Sequence, residues 1–318
     1  MKNFRDETAA TKSHRRLDRE VNFGRGDCEE IIMNEPNKAE YFKVGDLPRS
    51  FMDETGRMLG DFSIALGYMR NGRTDGFHAI GSGVLVTRAG RFGILTALHC
   101  LHSPGLDVRL GPSGCDRLFL VLRNGRGLVV QPQDVVEHQL VTPQSQEFGP
   151  DLAFIEVLPG ERLASLKAVG SFWSLDKNPA EIMEHFGTIG TPVASIGYPG
   201  LYYDTRISGD SLQHKIHHMT YYFAIGKDAI IERDGWDYIE NTCYYGPSHE
   251  LPATFEGVSG GPVWGMHIRK DKADGHLTVL RSALIGISFY QTAIENDERR
   301  LRAHFIKSIY DLAWRNLG

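Results

Sequence analysis

From residue 76 onward, the apolar residues of the chain come in short runs separated by turn-forming residues, and this texture restricts the fold more than any other feature. The runs include GSGVLVT at 81–87, RFGILTAL at 91–98, RLFLVLR at 117–123 and LAFIEVL at 152–158, with Gly, Pro, Asn or Asp between many of them. Many short strands at such spacing are typical of a β-sandwich or β-barrel rather than of a repeating strand-helix-strand unit. The sequence therefore predicts an all-β domain over residues 76–318.

Two helices are predicted within this pattern. Residues 178–186, NPAEIMEHF, place Asn and Pro at the cap and in the first turn of a short helix between two sets of strands. In residues 294–317 the apolar side chains recur at spacings of three and four, at Leu301, Phe305, Ile309 and Leu312. That spacing predicts a C-terminal amphipathic helix over 294–317 that packs on the body.

The N-terminal residues differ from the rest of the chain. Half of the first 20 are charged and few are apolar, so we expect them to be mobile or held by a partner, and to be neither a signal peptide nor an anchor. Between residues 28 and 75 short apolar groups return, split by turn residues. Residues 1–75 are therefore predicted to be an N-terminal extension, partly disordered or packed on the body.

Composition and charge exclude several classes of function. The chain has 318 residues, 41% of them hydrophobic, which is enough to fill a core without metals or disulfides. Its 35 basic and 40 acidic residues give a net charge of -5, which provides no general basic field for nucleic acid or an anionic membrane. No stretch approaches the roughly 18 apolar residues of a membrane helix. Four scattered cysteines without a CxxC pair favour reduced thiols, so we expect a cytoplasmic protein without nucleic-acid or membrane partners.

The stretch TFEGVSGGPVW at 254–264 surrounds Ser259 with glycines. Gly257 precedes the serine by two residues, and Gly260 and Gly261 follow it. Glycine permits close backbone approach and conformations closed to other residues. We expect a tight turn that exposes the hydroxyl and directs the N–H groups of Gly257 and Ser259 at one point. Such a donor pair forms an oxyanion hole, which stabilises the negative oxygen of a tetrahedral acyl-transfer intermediate.

Two further motifs supply the partners that a nucleophilic serine needs. GILTALHC at 93–100 is an apolar strand that delivers His99 at its end, and GPDLAFIEV at 149–157 places Asp151 immediately before a strand. Taken alone, the glycine-rich turn is as often structural as functional, and a single histidine after a strand or aspartate before one is more often structural. Together they provide a nucleophile (Ser259), a general base (His99) and a carboxylate that orients the imidazole (Asp151).

LTALHC, DLAFI and GVSGGP resemble the His, Asp and Ser signatures of the trypsin/chymotrypsin-like serine peptidases, in that family's order. The spacings, 52 residues from His99 to Asp151 and 108 from Asp151 to Ser259, suit such an enzyme. The resemblance implies a double six-stranded β-barrel with the active site between the barrels. The first barrel would cover about 76–165 and the second about 190–292, followed by the C-terminal helix.

The chain departs from the family pattern at two places. Secreted members pair the cysteine after the catalytic histidine with an earlier one, which here would lie near Val84, where there is no cysteine. Zymogen-activated members have aspartate before the serine, where this chain has Val258. Both departures resemble those found in bacterial and intracellular members of the family.

The same resemblance suggests the residues that bind the substrate. Ala253, six residues before Ser259, would form the floor of the primary specificity pocket, and an uncharged floor implies a small or apolar residue before the scissile bond. Ser288 in GISFYQT would lie on the strand that pairs with an extended peptide, although Tyr290 and Gln291 stand where the family commonly has glycine.

The sequence thus predicts a serine endopeptidase that works through an acyl-enzyme, with no cofactor and no metal. Its substrate would be a protein or peptide, and a cytoplasmic protease needs restraint. We expect residues 1–75 or the long stretch 201–250 to gate the cleft, with a regulatory protein partner as a further means of control.

Three other functions compete with this prediction. GVSGG also fits the G-x-S-x-G pattern of α/β-hydrolase esterases, but these need an acid and a histidine after the serine, and only 59 residues remain there (318 minus 259). HKIHH at 214–218 would put His214 and His218 on one face of a helix, as in a zinc hydrolase, but it lacks the general-base glutamate. The third alternative is a catalytically silent binding module with a protease-like fold.

Overall fold

A computed structural model of the chain gives its fold. It describes residues 30–35, 38–43, 46–69, 78–103, 106–111, 116–122, 125, 127–141, 145, 147–199, 203–208, 211–216, 218–245, 251–252, 254–315 and 317, with the backbone alone for 30–35, 38–43, 203–208 and 211–216.

The elements before the second sheet begin with a hairpin and a helix. The hairpin strands are β1 (Glu30–Glu35) and β2 (Lys38–Lys43), and the helix is α1 (Arg49–Gly60). The strands that follow are β3 (Ser63–Met69), β4 (His78–Arg88), β5 (Arg91–Thr96), β6 (His102–Ser103), β7 (Leu106–Asp107), β8 (Arg117–Leu122), β9 (Gly127–Val130), β10 (Val135–Gln139), β11 (Ala153–Val157) and β12 (Trp173–Ser174). Helix α2 (Glu161–Val169) lies between the last two strands.

Helix α3 (Pro179–Phe186) separates these strands from those of the second half. The second-half strands are β13 (Pro192–Gly197), β14 (Tyr203–Ser208), β15 (Ser211–Ile216), β16 (Met219–Ala224), β17 (Ile230–Arg233), β18 (Trp236–Tyr244), β19 (Pro262–Lys270), β20 (Leu277–Gln291) and β21 (Glu298–His304). The chain ends with helix α4 (Ile306–Tyr310) and a 3-10 turn at Leu312–Trp314.

Two large sheets form the body of the protein. The first has the order β10-β11-β5-β4-β3-β8-β9, with the short β12 parallel to β4, and the second has the order β16-β13-β19-β20-β21-β18-β17. Both sheets are antiparallel along these orders, apart from the added β12. The predicted all-β fold with two barrel-forming sets of strands is confirmed.

Consecutive residues of β4 face two different cores, as the period of two in a strand requires. Leu85 packs with Ile64 in the core of the first sheet, whereas Val84 and Val86 belong to a core that also contains Trp264 of the second sheet. One face of the first sheet therefore closes on its own core while the other packs against the second sheet. A cleft at the line where the two sheets meet can draw side chains from both.

The helix predicted at 178–186 is confirmed as α3. Asn178 caps it, because its side-chain oxygen accepts a hydrogen bond from Ala180 N at 3.0 Å, and Pro179 occupies the first turn. This arrangement satisfies one of the N–H groups that a helix start leaves without an intrahelical partner.

The C-terminal helix exists, but the predicted extent of 294–317 is wrong. Residues Glu298–His304 form β21, and the helix begins only at Ile306. β21 pairs with β20 on one side and β18 on the other, so its backbone hydrogen bonds are made across the sheet. Sheet pairing overrides the helical spacing, which happened to run across a strand-helix junction.

The predicted boundary at residue 76 also differs from the structure. β3 lies inside the first sheet, between β4 and β8, although it precedes residue 76. Within the predicted extension, α1 is a regular helix that buries Phe51 and Leu59. The first sheet therefore begins at Ser63, and α1 packs on the body.

None of the helices that the structure describes is long and apolar enough to cross a membrane.

Candidate active site

His99 lies in a single 3-10 turn, Leu98–Cys100, that follows the buried strand β5. Its neighbours Leu98 and Cys100 point into the core, while the His99 side chain keeps 39% of its surface exposed. The turn thus anchors the backbone on both sides of the histidine and leaves the imidazole at the surface of a cleft.

Asp151 is buried beside His99 because β11, which follows Asp151, pairs with β5, which precedes His99. Ala153 of β11 lies opposite Thr96 of β5. Asp151 Oδ1 accepts a hydrogen bond from His99 N at 2.9 Å, and Oδ2 is in hydrogen-bond contact with His99 Nδ1. The carboxylate therefore fixes the ring orientation and favours the tautomer with its proton on Nδ1, so that Nε2 is left as an acceptor for a nucleophile.

A second histidine lies behind the aspartate. His304 Nε2 accepts a hydrogen bond from Asp151 N at 3.0 Å, and its ring stacks on Phe289 with centroids 4.4 Å apart. Burial is the main cause that lowers the pKa of His304 to about 4, so the ring is neutral at ordinary pH. Sequence reasoning missed this residue because it assigned 294–317 to a helix.

Ser259 lies in the tight turn that the glycines predicted. Gly257 and Gly260 have φ values of +91° and +84°, which residues with side chains rarely adopt. A Cβ at Gly260 would lie 2.0 Å from Ser82 O, so glycine is also required by close backbone approach. Gly260 N donates to Ser288 O at 2.7 Å, which ties the turn to β20.

Two N–H groups beside Ser259 are available to a ligand. Within the described part of the chain, the N–H groups of Gly257 and Ser259 donate to no acceptor, whereas those of Val258, Gly260 and Gly261 are all hydrogen-bonded. The available pair is the one that the sequence predicted as an oxyanion hole.

His99 and Ser259 line the same cleft, which has a volume of about 480 Å³. Residues of both halves of the molecule contribute to its walls, among them Tyr68, Ile80, Leu106, Glu256, Phe289 and Tyr290. Among the hydrogen bonds of the described residues there is none between Ser259 Oγ and the His99 imidazole. Hydrogen bonds between catalytic groups are often long in a protein without its substrate and tighten when the substrate binds.

The predicted specificity residues have different outcomes. Ala253 lies outside the described residues. Ser288 is half-buried behind the Ser259 turn, with its N donating to Gly261 O at 2.9 Å and its Oγ 3.4 Å from Ser195 Oγ. The β20 residues that line the cleft are the next three, including Gln291.

Gln291 makes bonds that the sequence did not suggest. Its Oε1 accepts from Phe255 N at 2.9 Å and from Arg299 Nη1 at 3.0 Å, and its Nε2 donates to Thr254 Oγ1 at 3.1 Å. The glutamine therefore joins the end of β20 to the segment that leads into the Ser259 turn. The polarity of Gln291 could not reveal this role, because Phe255 and Thr254 lie 36 and 37 residues away in the chain.

Cys100 faces Gly81, three residues before Val84 on β4, and Gly81 is not a cysteine. A Cβ at Gly81 would lie 2.5 Å from Cys100 Sγ, whereas Val84 pairs with Ser63 and Leu95. Burial raises the pKa of the Cys100 thiol to about 12, which leaves it protonated and unreactive.

Two of the alternative sites lack the local structure that they need. The residue after Gly261 begins strand β19, whereas the G-x-S-x-G elbow of an α/β-hydrolase leads into a helix. Residues Ser211–Ile216 form strand β15, so His214 and His218 do not share a helical face. Among the described residues, no group of three or more His, Cys, Asp or Glu is placed to hold a metal ion.

No protein-family model matches the chain, and neither does any curated protein. Among solved structures, the HtrA-type protease AlgW with a decapeptide is similar at 14% identity and a TM-score of 0.42. The match covers 82% of this chain and 66% of that chain, so this chain spans just under two thirds of the length of AlgW in that structure. A likeness this weak assigns no activity to the cleft.

Proposed function

We propose that the protein is a serine endopeptidase in which Ser259, His99 and Asp151 form a catalytic triad. The observation that carries the proposal is the cleft itself. A carboxylate-bound imidazole and a serine flanked by two available N–H groups line one cavity. These are the nucleophile, base, orienting group and oxyanion donors that acyl transfer needs.

In the first half of the proposed reaction, Ser259 Oγ attacks the carbonyl carbon of the scissile peptide bond. Its proton passes to Nε2 of His99, and the N–H groups of Gly257 and Ser259 hold the oxygen that becomes negative. The C–N bond then breaks, and the leaving amine takes the proton from His99. An ester between the acyl group and Ser259 remains.

In the second half, His99 removes a proton from a water molecule that attacks this ester. The tetrahedral intermediate collapses, Ser259 Oγ leaves, and it takes the proton back from His99. For either half to proceed, Ser259 Oγ must come within about 2.6–3.2 Å of His99 Nε2.

The substrate in this proposal is an extended peptide segment of a protein. Ala253 would favour a small or apolar residue before the scissile bond, and Ser288 would support the strand that pairs with the substrate. Control in the cytoplasm, through residues 1–75, residues 201–250 or a regulatory protein, belongs to the same proposal.

A catalytically silent binding module is the second candidate. The observation in its favour is the missing hydrogen bond between Ser259 Oγ and the His99 imidazole within the described structure. A binding module would hold peptides in the cleft without cleaving them.

Digestion of a peptide library separates these functions. The native chain and Ser259→Ala are each incubated with a proteome-derived library, and the new peptide termini are identified by mass spectrometry. We expect new termini with the native chain alone, preceded by small or apolar residues. Library peptides that bind the native chain and stay intact would favour the binding module, and cleavage by Ser259→Ala would exclude the proposed nucleophile.

A further inference from the structure

One buried serine of the first sheet bonds directly to the turn that carries Ser259. Ser82 lies on β4 with none of its surface exposed. Its Oγ donates to Gly257 O at 2.6 Å, and its N donates to Ser259 O at 2.7 Å. The turn precedes β19 of the second sheet, so a single residue connects the two sheets at the candidate oxyanion hole.

The two bonds hold the peptide groups on either side of the Ser259 N–H. A carbonyl and the following N–H form one rigid plane. Ser82 therefore fixes the Gly257–Val258 and Ser259–Gly260 planes. The peptide plane between them, Val258–Ser259, carries the Ser259 N–H. The carbonyl oxygen of that plane, Val258 O, accepts a hydrogen bond from Gly261 N at 2.8 Å. The direction of this N–H is thus determined by bonds on three consecutive planes.

The hydroxyl of Ser82 is fully committed to this arrangement. Tyr198 N donates to Ser82 Oγ at 2.9 Å, so the hydroxyl proton is free to be donated to Gly257 O. Thr96 Oγ1 donates to Ser82 O at 2.7 Å and holds the backbone of the same residue. Gly257 has no side chain and a φ of +91°, so its backbone is intrinsically freer to rotate than that of other residues, and such bonds help to fix it.

We propose that Ser82 is a positioning residue that keeps the N–H group of Ser259 aimed at the oxyanion, and so sets the rate of acyl transfer. The inference rests on the proposed function. Ser82 itself touches neither the substrate nor the reacting atoms.

A positioning role for Ser82 predicts that its loss changes kcat much more than KM. An oxyanion hole acts on the charge that develops in the transition state, so its misalignment lowers kcat and affects substrate binding little. Ser82→Ala should lower kcat roughly tenfold or more, with a change in KM of less than about threefold. The rate of labelling by a fluorophosphonate, which also needs the oxyanion donors, should fall in parallel.

The chain offers a matched control in Ser308. This serine is also fully buried, and its hydroxyl lies 2.6 Å from Asp237 Oδ1 and 2.9 Å from Asp237 O, yet neither residue lines the cleft. Ser308→Ala should lower the melting temperature at least as much as Ser82→Ala, and leave kcat and the labelling rate unchanged when measured below the unfolding transition. Ser82→Cys, which keeps a weak donor of similar size, should restore part of kcat.

The test uses the native chain, the three variants, a fluorophosphonate and a peptide that the native chain cleaves in the library digestion, with thermal unfolding as the folding measurement. A labelling rate and kcat of folded Ser82→Ala equal to those of the native chain would overturn the inference and leave the proposed function standing. Failure of the native chain itself to be labelled would overturn the proposed function. If Ser82→Ala does not fold, Ser82→Cys with native kcat and labelling rate would overturn the inference instead.

Discussion

The two sides of the cleft are held in place by different means. On the first sheet, His99 and Asp151 meet because they lie at adjacent ends of the paired strands β5 and β11. On the second sheet, the Ser259 turn is held by bonds to β20 and, through Ser82, to the other sheet. The imidazole–carboxylate pair therefore rests mainly on one strand pairing within the first sheet, with one bond from Asp151 N to His304 of the second sheet, whereas the Ser259 turn depends on the packing of the two sheets. A disturbance between the sheets should displace the Ser259 turn before it displaces the His99–Asp151 pair.

The largest expected effect tests the first side of this comparison. Asp151→Asn replaces an acceptor by an amide that favours the wrong imidazole tautomer, so kcat should fall by about 10⁴-fold. Asp116→Asn is the matched control, because Asp116 is also buried in the first half and its Oδ2 accepts from Arg109 N at 3.0 Å. Kinetics of peptide hydrolysis measure both, and equal losses in the two variants would contradict a specific role for Asp151.

The next effect tests the second side. Gly257→Ala places a side chain at φ +91°, which strains the turn and misaligns its N–H groups, so kcat should fall by about 10²–10³-fold. Gly235→Ala introduces a similar strain at φ +81° in an open turn, with no atom within 4 Å of the new Cβ. Single-turnover kinetics should show the loss for Gly257→Ala alone. A native rate for the folded Gly257→Ala protein would argue against an oxyanion hole at this turn.

A third prediction concerns His304, which supports the first side from behind. The folded protein keeps His304 neutral down to a pKa of about 4, whereas the unfolded chain binds the proton near 6.5. Because the unfolded state binds more protons between these values, His304 makes stability fall as the pH drops from about 6.5 to about 4, by on the order of 3 kcal/mol.

Urea unfolding of the native chain and of His304→Gln at pH 7, 5.5 and 4.5 measures this contribution. The free energy of unfolding of the native chain should fall more steeply with decreasing pH than that of His304→Gln. Parallel pH dependences of the two proteins would contradict a neutral, buried His304.

The smallest effect concerns Gln291, which joins β20 to the segment before the Ser259 turn. Gln291→Ala removes bonds to Phe255 N and Thr254 Oγ1 but leaves the bonds of Ser82 in place. We expect kcat/KM to fall by less than about tenfold, because the N–H groups of Gly257 and Ser259 keep their nearest restraints. A loss as large as that of Gly257→Ala would mean that β20, rather than the first sheet, holds the turn.

The sequence predicted the parts of the molecule that local pattern determines. Short apolar runs indicated the two sheets, Asn178 and Pro179 marked the start of α3, and the three motifs singled out the residues that line or support the cleft. Each of these features depends on residues close together in the chain, so a pattern can record it.

What the sequence did not reveal depends on contacts between distant segments. Ser82 lies in GSGVLVT, a pattern that indicates only a strand. The hydrogen-bond partner of its side chain, Gly257, is 175 residues away. His304 was hidden by a helical spacing that the structure resolves as β21 followed by α4. The sequence placed the partner of Cys100 only near Val84, and packing of β4 on the His99 turn determines that it is Gly81.

The most direct test of the proposed triad is the intact mass of the protein after treatment with a small fluorophosphonate. The native chain should gain one adduct, mapped to Ser259, and Ser259→Ala and His99→Ala should gain none. An adduct that persists in folded Ser259→Ala, or a folded native chain that gains none, would contradict a serine nucleophile assembled with its base and oxyanion hole in this cleft.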